Sequence, residues 1–255
     1  MRALTIAVAG SILLATTGSA LSVSAESRPV VTSAIVSTRI IGTSVQGRPI
    51  EAIRRGTPGG TVVLVVGVIH GDEVAGLKIV DHLMTLPVPA GIDLWLVPSM
   101  NPDGAANVTH TNANGVDLNR NFPYLWKKIF QLGNEQYSGP TRASEPETKA
   151  MVKFIREIQP ELGIWYHQDL FRISPGTGIN GQLRTRYSKQ TGIPLKSITG
   201  GTYWGIAATW QRALIPDSYS FVVELGPTPV RPKHLLRNAN AVLNVALLRR
   251  ALSGK

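Results

Sequence analysis

Four short runs of apolar and β-branched residues stand out along the chain and predict buried β-strands. They are VVLVVGVI at 62–69, IDLWLV at 92–97, GIWYH at 163–167 and YSFVVEL at 219–225. Short, continuous apolar runs are typical of strands that are covered on both faces, as in parallel sheets. We therefore expect a central sheet that is buried between two outer layers.

Helical patterns of apolar residues lie between and after these runs. They are VAGLKIVDHLM at 74–84, ETKAMVKFIREI at 147–158 and HLLRNANAVLNVALLRRAL at 234–252. In SEPE at 144–147, Ser144 and Glu147 have the spacing of a capping box, so a helix is expected to begin there. Strands that alternate with helices predict an α/β fold with helices on both faces of the sheet. Long loops are expected around 99–142 and 168–218.

Polar residues stand at the ends of three predicted strands. His70 closes the first, His167 the third and Glu224 the fourth, and Glu73 follows His70 in a turn eased by Gly71. Ligands bind beyond the carboxyl ends of the strands in such sheets. Two histidines and one glutamate form a set that zinc accepts in catalytic sites. The H-x-x-E motif alone also fits a partly buried histidine beside a helix-capping acid.

The N-terminal 25 residues have the character of a secretory signal. Arg2 is basic, residues 3–15 are mostly apolar, and VSA at 23–25 offers a cleavage site before Glu26. The apolar stretch is short and interrupted by Gly and Thr, which disfavours a membrane span. We expect a signal at 1–25, one domain at 26–255, and no stable membrane insertion after cleavage. A retained N-terminal anchor is the alternative.

The amino-acid composition excludes some classes of function. The chain has 255 residues, of which 43% are hydrophobic and 16% charged, enough for one sizeable core. It has no cysteine, which excludes thiol catalysis and disulfides. Its formal net charge of +10 favours anionic surfaces or acidic substrates. The basic residues are scattered and form no recognition motif, so a nucleic-acid partner is not expected.

Several motifs in one order carry a family resemblance. NPDG at 101–104, GVDLNRNFP at 115–123, YSGP at 137–140 and SEPET at 144–148 lie between HGDE on one side and YHQ and VVEL on the other. Together they resemble the zinc carboxypeptidase family, the carboxypeptidase A-like metallopeptidases, over about 41–226. The short spacing from HGDE to DLNRNF looks most like bacterial members, including murein peptide amidases. This resemblance implies a single α/β domain with a mixed, mostly parallel sheet.

The resemblance also implies the chemistry of the strand ends. His70, Glu73 and His167 would hold one Zn²⁺, and Glu224 would be the general base that activates water. Pairing of Glu224 with a nearby arginine is the structural alternative.

The same resemblance assigns substrate-binding roles. Asn119 and Arg120 match residues that bind the terminal carboxylate of a peptide, a role that suits the two parallel donors of a guanidinium. Such binding makes an enzyme an exopeptidase. A purely structural salt bridge is the alternative for Arg120. Tyr203, within GGTYWGIAATWQ at 200–211, corresponds loosely to the family's mobile tyrosine. That segment contains no acid to receive a basic substrate side chain.

His110 departs from the family pattern. Bacterial relatives carry an arginine at this position, two residues before the Asn of NANG, and use it to stabilise the oxyanion. An imidazolium could replace it, but a histidine with its ordinary pKa of about 6.5 is often neutral and then gives one weaker hydrogen bond. A loop residue without a catalytic role is the alternative for His110.

These features predict a secreted or cell-wall-associated zinc exopeptidase, which would be periplasmic in a Gram-negative cell. Its substrate would be a peptide with a free C-terminal carboxylate, such as γ-D-glutamyl-diaminopimelate of murein, near the anionic cell wall. A general metallocarboxypeptidase, an acyl-amino-acid deacylase and a weakly catalytic, zinc-containing wall-peptide binding protein are the alternatives. Glu224 argues against the last, because binding alone needs no general base.

Overall fold

The computed structural model describes Met1, residues 34–198 and residues 203–255, and it contains the four predicted strands with two more before them. The strands are β1 (Ile35–Thr43), β2 (Pro49–Gly56), β3 (Thr61–Val68), β4 (Ile92–Ser99), β5 (Leu162–Gln168) and β6 (Tyr219–Leu225). They form one sheet in the order β1-β2-β4-β3-β5-β6. The predicted signal at 1–25, apart from Met1, lies outside the described residues.

The direction of the strands confirms a mixed, mostly parallel sheet. β3 runs parallel to both β4 and β5, and β5 runs parallel to β6. Among the six strands that the structure describes, the pairs β1 with β2 and β2 with β4 are antiparallel. The carboxyl ends of β3, β5 and β6 therefore meet at one edge of the sheet, where ligands bind in folds of this class.

The three predicted helices are present, as the first, third and last of the six helices in the described residues. The helices are α1 (Ala75–Thr85), α2 (Pro102–Asn107), α3 (Pro146–Ile158), α4 (Gly178–Thr191), α5 (Ala207–Leu214) and α6 (Pro232–Leu252). A 3₁₀ turn spans Leu118–Arg120. The expected long loop at 168–218 is wrong, because it contains α4 and α5. α4 is polar and lacks an apolar stripe, and α5 has only two turns, so neither gives a clear period in the sequence.

Helices cover both faces of the sheet, as predicted. Val63 and Val65 of β3 pack with α1, α4 and α6 on one face. Leu64 and Val66 pack with α3 and α5 on the other. This alternation is the period-2 geometry of a strand, and it explains why β3 is apolar throughout. Within the described ranges, no helix is both long and apolar enough to cross a membrane.

The start of α3 differs from the predicted capping box. The residue at the N-cap is Glu145, not Ser144, and its side chain makes no capping hydrogen bond. Ser144 Oγ instead donates to Glu145 Oε1. The buried Glu147 accepts from the backbone N–H of Val45 and from Asn112 Nδ2. Tertiary partners therefore replace the local bonds that the spacing predicts.

Candidate active site

The predicted metal ligands converge at the shared edge of β3, β5 and β6. His167 is paired directly with Glu224 across β5 and β6. His70 follows β3, and the backbone N–H of Glu73 donates to the carbonyl of His70, which closes the turn before α1. The Glu73 carboxylate lies 3.0 Å from His70 Nδ1 and 2.9 Å from His167 Nδ1. Three residues from two distant parts of the sequence thus face one point.

Gly71 permits this tight turn. A Cβ at this position would stand 1.9 Å from the carbonyl carbon of Gly104, which lies in α2. Only a residue without a side chain allows the two backbones to approach so closely. The NPDG motif at 101–104 therefore packs directly against the segment that carries His70 and Glu73.

The donor set fits zinc. One nitrogen or oxygen from each of His70, Glu73 and His167 lies within 4.8 Å of the others. His70 Nδ1 is buried and makes no hydrogen bond, although Glu73 Oε1 is close. On the other side of the ring, His70 Nε2 is 3.0 Å from Asp117 Oδ1. A carboxylate that accepts from one imidazole nitrogen leaves the other nitrogen's lone pair free for a metal.

Electrostatics at this point favour positive charge. Burial lowers the pKa of His70, but the negative charges of Asp117 and Glu73 outweigh it and raise that pKa to about 10. Burial would raise the pKa of Glu73, and the positive charges of His70 and His167 overcome this effect and lower it. The carboxylates thus stabilise a cation between the two histidines, which is the field that a metal ion requires.

Glu224 has the properties of an acid-base group. Its Oε2 atom is buried and has no hydrogen-bond partner. Burial raises its pKa, and the nearby negative charge of Glu73 raises it further, against the opposing effect of His167. No arginine forms an ion pair with Glu224 among the described residues, in contrast to the structural alternative. A carboxyl group with a raised pKa and an unpaired oxygen suits proton transfer.

Asn119 and Arg120 lie in the 3₁₀ turn, which Asp117 caps by accepting from the backbone N–H of Asn119. Asn119 Nδ2 is 3.2 Å from His167 Nε2, and its Oδ1 accepts from the backbone N–H of Ala207. The nearest carboxylate oxygen to Arg120 belongs to Asp117, at a loose 3.7 Å, and Arg120 Nε is buried without a partner. The guanidinium therefore retains capacity for another anion.

His110 lies against the predicted metal ligands. Its ring stacks on His70 with the centroids 3.6 Å apart, and its Nδ1 is 3.3 Å from Asp72 Oδ1. Burial and the charge of His70 lower the pKa of His110, although Asp117 opposes them. Asp72 lies in the HGDE motif and Asp117 in the GVDLNRNFP motif, but neither is among the predicted site residues, so their contacts with His110 and His70 become apparent only in the structure.

One cavity of about 480 Å³ joins all of these groups. Tyr203 lines it and is exposed, whereas residues 200–202 of the same segment lie outside the described part of the chain. The eight predicted site residues all line this cavity: His70, Glu73, His110, Asn119, Arg120, His167, Tyr203 and Glu224. It is also lined by Arg184 and Arg212, for which the sequence offered no role.

Comparison with protein families gives a match over a little more than half of the chain. The model described as zinc carboxypeptidase matches residues 31–170. Among curated proteins, murein peptide amidase A of Escherichia coli K12 is 32% identical over 118 residues, which cover 42% of this chain and 49% of the relative. The carboxypeptidase N catalytic chain of Rattus norvegicus is 33% identical over 159 residues, covering 46% of this chain and 34% of the relative. The chain therefore spans about half or less of the length of these relatives.

Solved structures show the same fold. The murein-tripeptide amidase MpaA from Escherichia coli O157 superposes with a TM-score of 0.65 at 24% identity, covering 84% of this chain and 91% of that one. Carboxypeptidase A from Helicoverpa armigera gives a TM-score of 0.73 at 19% identity, covering 86% and 69%. At 24% and 19% identity, these similarities establish the fold alone. Glu224 lies beyond the stretch that the family model matches.

Proposed function

Because the chain belongs to the zinc carboxypeptidase family, we propose that it hydrolyses the amide bond before the C-terminal residue of a peptide, and that its substrate is a murein peptide such as γ-D-glutamyl-diaminopimelate. The observation that carries this proposal is the unpaired, buried Oε2 of Glu224 in the cavity that the His70, Glu73 and His167 set also lines. The family is zinc-dependent, and the chain is a metallocarboxypeptidase-like hydrolase.

His70, Glu73 and His167 would hold one zinc ion in this proposal. Zinc, when bound, supplies a Lewis acid that polarises the scissile carbonyl and makes water easier to deprotonate. Asp117 orients His70 through Nε2, since the two atoms are 3.0 Å apart. Glu224 accepts the proton of the attacking water and returns it to the leaving amine, which its raised pKa favours.

Asn119 and Arg120 would hold the free carboxylate of the C-terminal residue. Arg120 is buried and its nearest carboxylate oxygen is 3.7 Å away, so a substrate carboxylate can compete for its donors. This contact fixes the scissile bond one residue from the end of the peptide. His110 would donate a hydrogen bond to the developing oxyanion, and Tyr203 would cover the bound residue from the exposed side of the cavity.

Export and attraction to the cell wall belong to the same proposal. Residues 1–25 would be removed as a signal, leaving 26–255 as the catalytic domain in the periplasm or at the cell wall. The full chain has a formal charge of +10, and loss of Arg2 with the signal would leave +9, which would favour a position near anionic wall polymers. The names of the murein amidase relatives agree with this location.

A general peptide carboxypeptidase is the second candidate, favoured by the similarity to carboxypeptidase N. Mass spectrometry of products separates the two. The zinc-loaded full chain and its Glu224→Gln variant are incubated with L-Ala-γ-D-Glu-diaminopimelate and with ordinary peptides. Release of diaminopimelate by the wild type alone supports the murein proposal, and release from ordinary peptides alone favours the second candidate. Absence of any release with zinc bound would contradict both candidates and favour the binding-protein alternative.

A further inference from the structure

Two arginines stand at one end of the substrate cavity without an assigned role. Arg184 comes from α4 and Arg212 from α5, and both line the cavity that contains Glu224. Arg184 Nη2 and Arg212 Nη1 donate to the same backbone carbonyl, that of Ser220, at 3.3 and 3.1 Å. Ser220 belongs to β6, one of the two edge strands of the sheet. One carbonyl therefore holds two guanidinium groups close together.

Neither arginine has a carboxylate partner among the described residues. Arg184 is 8% exposed, and its other contacts are also uncharged: oxygens of Ser174, Pro175 and Asn180 and the ring of Phe221. Burial and the charge of Arg212 lower the pKa of Arg184 to about 10. Elsewhere in the described part of the chain, five arginines do form ion pairs with carboxylates: Arg39, Arg48, Arg54, Arg120 and Arg249. Two cations without a counter-charge are costly to place side by side, and an anion between them would offset that cost.

The position of the pair fits the side chain of a bound residue. Ser220 precedes Glu224 by four residues in an extended strand, which corresponds to about 13 Å. Val222, between them, lines the cavity, as do the apolar Ile198 and Ile206. The cavity thus runs from the reaction centre along apolar walls to a positively charged end. Such a channel suits a methylene chain that ends in an acid.

We propose that Arg212, backed by the fixed charge of Arg184, binds a carboxylate at the end of the side chain of the substrate's C-terminal residue. Arg184 is held by Ser174, Asn180 and Ser220, whereas Arg212 donates only to Ser220 among the described residues. Arg212 therefore retains donors for a bidentate contact. The inference rests on the proposed exopeptidase function and names its substrate class, C-terminal residues with acidic side chains, which include diaminopimelate and glutamate.

A matched pair of substrates tests this selectivity. Diaminopimelate is lysine with one additional carboxylate on its terminal carbon, so L-Ala-γ-D-Glu-diaminopimelate and L-Ala-γ-D-Glu-L-Lys differ only in that group. We expect the zinc-loaded full chain to give a kcat/KM about 10- to 100-fold higher for diaminopimelate, as a charged hydrogen bond provides. Equal values for the two substrates would overturn the inference and leave the proposed exopeptidase function intact.

Variants assign the selectivity to Arg212. Arg212→Gln is expected to bring the ratio of the two kcat/KM values close to one, and Arg212→Lys to restore part of it. Arg186→Gln is the control, because Arg186 is an exposed residue of α4 that does not line the cavity. Thermal unfolding of each variant shows whether it folds. A ratio that survives in folded Arg212→Gln would mean that the arginines only cover the edge of β6, and would overturn the inference.

A second pair separates this inference from the murein proposal. Ordinary peptides that end in glutamate or glutamine differ in charge and hardly in shape. Preference for glutamate without cleavage of the murein peptide would support the binding of an acidic side chain at the positively charged end of the cavity and overturn the murein substrate. Failure to release a C-terminal residue from any peptide would overturn the proposed function and this inference with it.

Discussion

His167 and Glu224 lie directly opposite each other on the parallel strands β5 and β6, so the register of that pair sets a predicted ligand beside the predicted base. Side chains alternate between the two faces of a strand, and a shift by one residue would put these two groups on opposite faces. The pairing that builds the sheet therefore also builds the site.

Replacement of Glu224 by Gln should abolish turnover and keep zinc. The amide cannot accept the proton of the attacking water, and loss of general-base catalysis costs about 10²- to 10⁴-fold in kcat. Metal content measured alongside kcat checks both parts. Activity near that of the wild type would show that another group accepts the proton.

Replacement of Asp117 by Asn should weaken zinc binding. Asp117 Oδ1 contacts His70 Nε2, and loss of such a carboxylate partner typically lowers metal affinity by about 10- to 100-fold. Titration with a competing chelator measures the change. Asp81→Asn, on the exposed side of α1, is the control. Unchanged affinity in Asp117→Asn would mean that Asp117 serves only to cap the 3₁₀ turn.

Replacement of Arg120 by Gln should remove the preference for a free C-terminal carboxylate. A charged hydrogen bond contributes enough to favour the free acid over the amidated peptide by about 10- to 100-fold. The kcat/KM values for a peptide and its C-terminal amide give this ratio, and Arg120→Lys should keep part of it. A ratio that is the same in Arg120→Gln and the wild type would assign the carboxylate to another residue.

The buried Glu147 should make stability depend on pH. Burial raises its pKa above the ordinary value of 4.5, so the native state binds the proton more tightly than the unfolded chain. Its stabilising contribution is therefore complete below the unfolded pKa and is lost as the pH rises through the folded pKa. Compared with Glu147→Gln, the wild type should lose free energy of unfolding between pH 4 and pH 7. Urea denaturation of both proteins at the two pH values measures this, and a constant difference would contradict it.

The sequence predicted the elements whose burial is uniform and missed those that depend on tertiary contacts. β3 to β6 are apolar enough to be recognised, whereas β2 carries Arg54 and Arg55 within its strand. Arg55 is fully buried and donates to the backbone carbonyl of Leu86 at the end of α1. No local sequence pattern predicts this contact.

The candidate site divides in the same way. The predicted ligands stand in motifs or at strand ends: His70, Glu73 and His167. Their place at one edge of the sheet could therefore be predicted from the sequence. Asp117 contacts His70 across 47 residues of sequence, and Arg184 meets Arg212 only through Ser220. Asp117 stands in the GVDLNRNFP motif, whereas Arg184 and Arg212 stand in none of the motifs. In both cases the partner in space is known only from the folded chain, because the sequence gives no distance between residues that are far apart along it.

The predicted site residues and the two cavity arginines fall into two successive parts of the chain. The three predicted ligands all lie within 31–170, the stretch that the family model matches, whereas Glu224, Arg184 and Arg212 follow it. Because the two groups are separate in sequence, substitutions after residue 170 can change the proposed contacts to the substrate side chain without replacing any predicted metal ligand.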